Sequence, residues 1–256
     1  MAVGCTMRYH FGFRLFRWRG PIVLIVLLTG IYLVTRPNPQ DQEVRRWLAR
    51  AEMRLQLGDA RGVYDSFEGA LRASGGSPRT YLDVAELWSR YGGFRQSLRA
   101  AEEAVEAARR LHDREVQYWA LRLIADIYRR ADRFPAAAEA LERALKVRPK
   151  DAGVMNDLAY YYAEANTRLA RAEPLAREAV RAEPWNASFV DTLGWVYFKA
   201  GRYEEAQREL RLAVHLTPDQ AVLRRHLGAV LLELGDRRAA GIEFKKAGIL
   251  ERWWLY

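Results

Sequence analysis

The sequence predicts an all-α protein built from helix hairpins that stack on one another. Three observations lead to this prediction: a composition rich in Ala, Leu and Arg, the absence of segments that alternate with period two, and a motif that recurs about every 34 residues. Ala, Leu and Arg favour helix, and a strand needs an alternating pattern. Since half of the 256 residues are hydrophobic, the chain can bury a substantial core.

The distribution of charge argues against a nucleic-acid partner. The chain carries a net charge of +9, of which residues 1–40 supply +5 because they hold five Arg and no acidic residue. The other 216 residues therefore carry only +4, with acids and bases interspersed. Nucleic-acid binding favours a continuous basic stripe. The charge pattern instead predicts a membrane partner beside the amino-terminal residues.

Residues 20–35 are predicted to form a transmembrane anchor, preceded by a basic tail at residues 1–19. The apolar part of this segment contains no charged residue. As a helix it would extend about 22 Å, less than the roughly 30 Å of a hydrocarbon core. Trp18 and Tyr32 can lie at the interfaces while Arg19 and Arg36 reach outward. A single-pass anchor is therefore feasible.

A cleaved signal peptide is the alternative interpretation of this segment. Cleavage needs small residues in an A-x-A-like arrangement, and the run before Pro37 supplies none, so a retained anchor is favoured. Basic residues are nearly balanced on its two sides, but a short basic terminus directly before an apolar run favours an extracytoplasmic domain, on the periplasmic or cell-surface side. Residues 36–43, which contain Pro37 and Pro39, are predicted to be a stiff linker.

The repeated motif fills residues 44–254. Its clearest copy is residues 187–220, in which characteristic small and large residues fall at fixed offsets: Leu193, Gly194, Tyr197, Gly201, Ala206, Leu210, Ala213 and Pro218. Six copies align on these offsets: residues 44–77, 78–111, 118–151, 152–186, 187–220 and 221–254.

The offsets have a physical cause. Two antiparallel helices whose axes lie 8–10 Å apart need small side chains where their backbones cross, and Gly194, Ala206 and Ala213 supply them in the clearest copy. A glycine serves the turn, and Pro218 ends the second helix. Because one hairpin cannot bury its apolar face, neighbouring hairpins must stack into a solenoid.

These offsets resemble the tetratricopeptide-repeat (TPR) family, with Val190 where the consensus has Trp. The resemblance implies an all-α, right-handed superhelical solenoid of about six TPR helix hairpins. With the one amino-terminal transmembrane helix predicted from the apolar run, the chain looks like a membrane-anchored bacterial member of the family. It also implies a concave groove, lined by the first helix of each hairpin, that receives peptides or partner helices. The paired Lys and Asn positions of the carboxylate clamp found in some members are not matched.

The resemblance assigns particular positions of each repeat to this groove. The candidate partner-binding residues are Trp119, Arg122, Asp126, Arg129, Asn156, Tyr160, Asp191, Trp195, Lys199 and Arg225. Trp, Tyr and Arg are favoured at the centres of interfaces. The alternative is that the aromatic residues only cover neighbouring helices.

Some segments depart from the repeat. The six extra residues 112–117 predict either that both flanking helices lengthen or that a loop intervenes, and one extra residue enlarges the turn of the fourth copy. Arg50 and Arg54 stand at usually apolar positions, which an exposed terminal repeat tolerates. The aromatic residues 251–256 are predicted to cover the last repeat, with a partner-docking tail as the alternative.

The sequence offers no set of residues for catalysis. Its four His have no metal-binding spacing, Cys5 is its only cysteine, and no nucleotide or hydrolase motif occurs. We therefore predict no enzymatic activity, no cofactor and no metal. The predicted function is a membrane-anchored scaffold or adaptor that binds proteins or peptides, for instance in assembly of an envelope or secretion complex. The alternatives are a non-catalytic regulatory subunit of a membrane or cell-surface enzyme, and an exported soluble binding protein.

Overall fold

The computed structural model describes residues 38–253, with side chains as far as residue 248. Within this range the chain forms twelve helices that pair into six antiparallel hairpins. In chain order they are α1 (Pro39–Gln56), α2 (Ala60–Ala73), α3 (Pro78–Arg90), α4 (Phe94–Arg110), α5 (Arg114–Arg130), α6 (Phe134–Val147), α7 (Ala152–Glu164), α8 (Leu169–Ala182), α9 (Ala187–Lys199), α10 (Tyr203–Leu216), α11 (Ala221–Glu233) and α12 (Arg237–Trp253). The predicted all-α solenoid of six hairpins is confirmed.

Several predicted features lie outside the described residues. These are the basic tail at residues 1–19, the anchor at residues 20–35 and the aromatic side chains at residues 251–256. Among the residues that the structure does describe, no helix is both long enough and apolar enough to cross a membrane.

The start of α1 differs from the predicted linker. Residues 36–43 were expected to be non-helical because of their two prolines, yet α1 begins at Pro39. A proline is tolerated in the first turn of a helix, where its missing N–H would have no intrahelical partner. The side chain of Asn38 accepts a hydrogen bond from the backbone N–H of Gln40 and caps this turn.

The turns within the hairpins follow the predicted use of glycine. Four of them place a glycine at a φ between +71° and +82°, a region open to glycine at little cost: Gly58, Gly92, Gly201 and Gly235. The fourth turn spans four residues, 165–168, and carries Asn166 and Arg168 at a φ of +49°. The extra residue therefore enlarges this turn, as its position in the sequence predicts.

The six extra residues 112–117 lengthen the two helices beside them. Helices α4 and α5 each have 17 residues, and only a short turn separates them. His112 takes a φ of +55° there, and Asp113 caps α5 by accepting a hydrogen bond from the N–H of Val116 at 3.0 Å. Of the two predicted outcomes, the lengthened helices are observed and the loop is not.

Small residues allow the paired helices to cross closely. Ala159 and Ala172, where α7 meets α8, are both fully buried. A Cβ atom added at Gly194 of α9 would lie 2.7 Å from Cγ of Leu210 in α10, which is closer than packed carbon atoms approach. The main core runs continuously through hairpins two to six, whereas hairpin one packs on hairpin two through a smaller, separate cluster.

We predict that Gly194→Ala lowers the free energy of unfolding by about 1–3 kcal/mol, because the added methyl group overpacks the crossing with Leu210. Gly241→Ala is the matched control, since nothing lies within 4 Å of its added Cβ. Alanine in a helix interior is better than glycine, so this control gains about 0.5–1 kcal/mol. Chemical denaturation of both variants measures the difference. Equal effects would show that the crossing has room for a methyl group.

Candidate functional site

A groove of about 610 Å³ runs along the inner surface of the solenoid. Its walls come from the first helices of five successive hairpins, α3, α5, α7, α9 and α11, with Leu141 of α6 at its base. These helices present one face to the second helices and the opposite face to the groove, as the helical period of 3.6 residues requires.

The structure brings seven of the ten predicted residues together in this groove. They come from α5, α7 and α9, and they are Trp119, Arg122, Asp126, Arg129, Asn156, Tyr160 and Asp191.

Trp119 presents the largest exposed apolar surface in the groove. Its side chain is 42% exposed, its Nε1 donates a hydrogen bond to Glu115 at 2.7 Å, and its ring packs edge-on against Tyr118 at 5.1 Å between centroids. The hydrogen bond from Trp119, together with one from Arg148, holds the pKa of Glu115 below its ordinary value. Trp119 is thus exposed but held in one orientation.

The charged residues of α5 are paired with neighbours. Arg122 lies 5.6 Å from the ring centre of Trp119 and 3.5 Å from a carboxylate oxygen of Asp157. Asp126 accepts from Arg129 at 2.6 Å, and this hydrogen bond raises the pKa of Arg129. Each charge in this part of the groove therefore has an opposite charge beside it.

Helix α7 contributes polar groups that lack partners. Asn156 is 7% exposed, and its Oδ1 accepts no hydrogen bond in the structure. The hydroxyl groups of Tyr160 and Tyr161 make none within the described residues. Burial, followed by the charges of Glu164 and Asp191, raises the pKa of Tyr160 to about 12, and burial likewise raises the pKa of Tyr161. Both phenols therefore remain hydrogen-bond donors at neutral pH.

Three predicted residues lie elsewhere. Trp195 is stacked between Phe198, at 4.8 Å, and His226, at 4.1 Å, and its Nε1 donates to Glu164. Lys199 places its Nζ 5.1 Å from the ring centre of Trp195. These contacts fit the alternative interpretation of Trp195, in which its aromatic ring covers neighbouring helices.

Arg225 does not line the groove either. Burial raises the pKa of Tyr160, and the positive charge of Arg225 opposes part of this rise.

The groove also contains residues that the sequence did not single out, among them Asp157, Tyr161 and His226. Nδ1 of His226 lies 2.9 Å from both carboxylate oxygens of Asp191, so this nitrogen carries the proton of the hydrogen bond. Asp157 and His226 are each the sixth residue of their repeat. A search that included this position would have found both.

We predict that Asp157→Asn raises the free energy of unfolding at neutral pH by about 0.5 kcal/mol, a small effect because the side chain keeps 37% exposure to screening solvent. Burial raises the pKa of Asp157 despite the opposing charge of Arg122. The folded state therefore holds this proton more tightly than the unfolded state. The stabilisation that protonated Asp157 gives the folded state is fully present below the ordinary aspartate pKa. It is lost as the pH rises through the raised pKa.

The measurement is the difference in unfolding free energy between wild type and Asp157→Asn from pH 3 to 8. Wild type should lose stability relative to the variant as the pH rises above about 4. A difference that is constant with pH, or that changes in the opposite direction, would contradict the raised pKa of this carboxyl group.

Two family models match the middle of the chain. Residues 122–187 and residues 163–225 each match a family model described as tetratricopeptide repeat. This part of the chain is similar to tetratricopeptide repeats. The matched residues include most of the groove, from Arg122 on α5 to Asp191 on α9.

Two curated relatives share part of the sequence. The TPR repeat-containing protein PA4667 of Pseudomonas aeruginosa is 34% identical over 80 residues, which are 31% of this chain and 13% of that protein. The human protein O-mannosyl-transferase TMTC1 is 28% identical over 111 residues, which are 41% of this chain and 12% of that protein. The chain thus spans about an eighth of the length of the curated relatives it matches.

Solved structures of similar fold include those of MamA and YrrB. MamA of Desulfovibrio magneticus superimposes with a TM-score of 0.57 at 22% identity, covering 68% of this chain and 95% of that one. YrrB, a TPR protein with an unusual peptide-binding site, superimposes with a TM-score of 0.55 at 17% identity, covering 73% and 92%. At this level of identity the similarity shows the fold.

Proposed function

We propose that the chain is a protein-binding scaffold whose inner groove receives a peptide segment of a partner protein. The observation that carries this proposal is the combination of an exposed Trp119 with unpartnered polar groups at Asn156, Tyr160 and Tyr161 in one groove. A half-exposed Trp beside an Arg is a favoured anchor for a partner side chain. Unpartnered tyrosine hydroxyls supply hydrogen bonds that a peptide backbone can accept.

The charge of the groove favours a peptide over a polyanion. Two of its bases stand beside acids, Arg122 beside Asp157 and Arg129 beside Asp126. Glu86 adds a further acid, and Nδ1 of His226 lies within hydrogen-bond distance of Asp191. A surface of mixed sign gives little attraction to a phosphate backbone. The peptide-binding site named for YrrB, a protein of the same fold, adds support for a peptide ligand.

The test is capture of partners from native membranes with the tagged full-length protein. Trp119→Ala/Arg122→Ala should lose the partners that wild type retains. Trp185→Ala/Arg181→Ala is the matched control, because Trp185 is 80% exposed and lies outside the groove. Thermal unfolding checks that both variants are folded. Partners that remain bound to the groove variant would sink the proposal.

The membrane anchor belongs to the same proposal. Residues 20–35 would hold the repeats at the membrane, with the groove on the extracytoplasmic side, where the scaffold serves the assembly of an envelope or secretion complex. The support is the uncharged apolar run beside a basic tail. Protease digestion of cells whose outer membrane has been permeabilised tests the orientation: the repeats should be cleaved without lysis of the inner membrane. Protection until lysis would place them on the cytoplasmic side.

A second candidate is a non-catalytic regulatory subunit of a membrane or cell-surface enzyme. The sequence similarity to a protein named as a mannosyl-transferase favours it, although only 12% of that protein is matched. Such a subunit copurifies with its enzyme at fixed stoichiometry, whereas an adaptor exchanges its partners. An exported soluble binding protein is a third candidate, and an intact amino terminus on the mature protein would eliminate it.

The proposal assigns no catalytic role to the chain. Within the described residues no three His, Cys, Asp or Glu side chains are grouped as a metal ion would need. Turnover by the purified full-length protein of any substrate handled by its partner would overturn this assignment.

A further inference from the structure

A second surface lies between the first two hairpins, on the other side of α3 from the groove. Helices α2 and α4 form its walls and α3 its floor, and they enclose a cleft of about 540 Å³. Val84 and Trp88 of α3 line this cleft, while Glu86 of the same helix lines the groove. Because residues two apart point to different faces of a helix, a ligand can occupy either surface independently.

Four of the residues that line the cleft are aromatic: Tyr64, Phe67, Tyr81 and Trp88. Trp88 packs against Phe67 at 5.4 Å and against Tyr64 at 5.5 Å between ring centroids. Tyr64 nevertheless remains 50% exposed. Phe67 belongs to the small core cluster of the first hairpin junction, and Trp88 packs against this cluster, which is separate from the main core. The junction thus leaves a partly uncovered aromatic surface of the kind that binds a partner.

The rim of the cleft carries two positively charged side chains. Arg95 and Arg99 are both exposed, stand one turn apart on α4, and form no ion pair within the described residues. Two acids also line the cleft: Glu103 is one turn beyond Arg99, and Glu68 on α2 pairs with Arg72 at 3.0 Å. One end of the cleft therefore attracts a carboxylate.

A hydrogen bond across the cleft shows where Tyr64 lies relative to Arg95 and Arg99. Nε2 of Gln96 donates a hydrogen bond to the hydroxyl of Tyr64 at 3.4 Å, so the exposed Tyr64 is level with the amino end of α4. The rise of 1.5 Å per residue separates Arg95 from Arg99 by about 6 Å along the helix. The aromatic surface and the two guanidinium groups thus lie side by side.

We propose that this cleft binds an amphipathic helix of a partner protein, with its apolar stripe on Tyr64 and Trp88 and a pair of its carboxylates beside Arg95 and Arg99. A helix fits better than an extended chain because the helical walls offer no unpaired backbone N–H or C=O groups along the cleft. A helix satisfies its own backbone, whereas an extended peptide would leave most of its backbone unpaired on an aromatic surface.

Two synthetic peptides of about 18 residues test this proposal, each labelled with fluorescein and titrated with the full-length protein. The first carries Leu and Trp at the i, i+3, i+4 and i+7 spacing, a pair of Glu one turn apart beside this stripe, and Gln elsewhere. The second replaces the Glu pair with Lys. Wild type should bind the Glu peptide at least tenfold more tightly, measured by fluorescence anisotropy.

Three variants assign the binding to the cleft. Arg95→Glu/Arg99→Glu should reverse the preference, whereas Trp119→Ala/Arg122→Ala in the groove should keep it. Arg208→Glu/Arg211→Glu, on α10, makes the same change of net charge away from the cleft and should also keep it. Thermal unfolding confirms that each variant is folded.

Three results would overturn the cleft as a docking site. They are equal binding of the two peptides, no saturable binding of either, and a preference that is unchanged by the charge reversal at Arg95 and Arg99. Loss of binding in the groove variant alone would assign the peptide to the groove and would also overturn it. Failure of this proposal leaves the groove proposal standing, because partner capture tests the groove, whereas the charge reversal at Arg95 and Arg99 tests the cleft.

Discussion

Tyr118→Ala is expected to lower the free energy of unfolding by about 3–5 kcal/mol. Tyr118 is 1% exposed and lies in the main core on α5. Its hydroxyl donates a hydrogen bond to Asp151 at 2.7 Å, and the guanidinium of Arg148 stands 4.0 Å from its ring centre. The substitution therefore removes a buried ring, a hydrogen bond and a cation–π contact at once.

The loss reaches α7 because Asp151 caps that helix. Its Oδ1 accepts a hydrogen bond from the N–H of Val154 at 2.9 Å. Burial alone would raise the pKa of Asp151, but the hydrogen bonds from Tyr118 and Val154 and two nearby arginines outweigh burial and lower it. Tyr118 thus joins the third hairpin to the beginning of the fourth.

Tyr118→Phe is the matched control, since it keeps the ring and removes only the hydroxyl. We expect it to lose about 1–2 kcal/mol, the range for one hydrogen bond to a charged group. Urea denaturation measures both variants. If Tyr118→Ala lost no more than Tyr118→Phe, the packing of the ring would contribute nothing and the assignment of this core would be contradicted.

His226→Phe is expected to lower the free energy of unfolding by about 3 kcal/mol. Asp191 is 6% exposed, and its carboxylate has His226 as its hydrogen-bond partner in the described structure. A phenyl ring can keep the stacking on Trp195, which lies 4.1 Å from the imidazole, but it cannot donate a hydrogen bond. A buried carboxylate is then left without a partner.

The double variant Asp191→Asn/His226→Phe separates this cause from loss of packing. Because a carboxamide is neutral, its burial costs much less than that of an unpaired carboxylate. We expect the double variant to regain most of the loss, measured by denaturation at pH 7. A double variant as unstable as His226→Phe alone would show that the imidazole stabilises the fold through its packing.

Much of the fold could be predicted because the same packing of two helices recurs in all six copies of the repeat. The small residue at the helix crossing, Gly194, and the turn glycine, Gly201, each have one physical reason that recurs in the other copies. The start of α1 was not predicted because Pro39 has two meanings in a sequence. It ends a helix that precedes it and begins one that follows.

The groove could be predicted only in part, since its lining depends on how the hairpins curve together. Positions on α5 and α7 were found, because the resemblance to tetratricopeptide repeats assigns fixed positions of each first helix to the groove. Contacts between residues of different repeats were not predicted. Asp191 contacts His226 of the next hairpin, and Trp195 stacks on the imidazole ring of His226. Spacing within one repeat carries no information about such contacts.

The cleft between the first two hairpins was also invisible in the sequence. Nothing in the spacing of the repeat marks Trp88 or Tyr64 as residues that line a cleft. Their exposure follows from the separate packing of the first hairpin. Only the arrangement of the helices in space shows that these aromatic rings remain partly uncovered.

The central claim is that a partner segment lies in the inner groove, and site-specific photo-crosslinking in cells tests it most directly. Val222 lines the groove and is 38% exposed, while Leu212 on α10 is 40% exposed and lies outside it. A photoreactive phenylalanine derivative at each position makes a matched pair. A peptide-bearing partner crosslinked from position 222 and absent from position 212 is the predicted result. Crosslinks from position 212 alone, or equally from both, would contradict the claim.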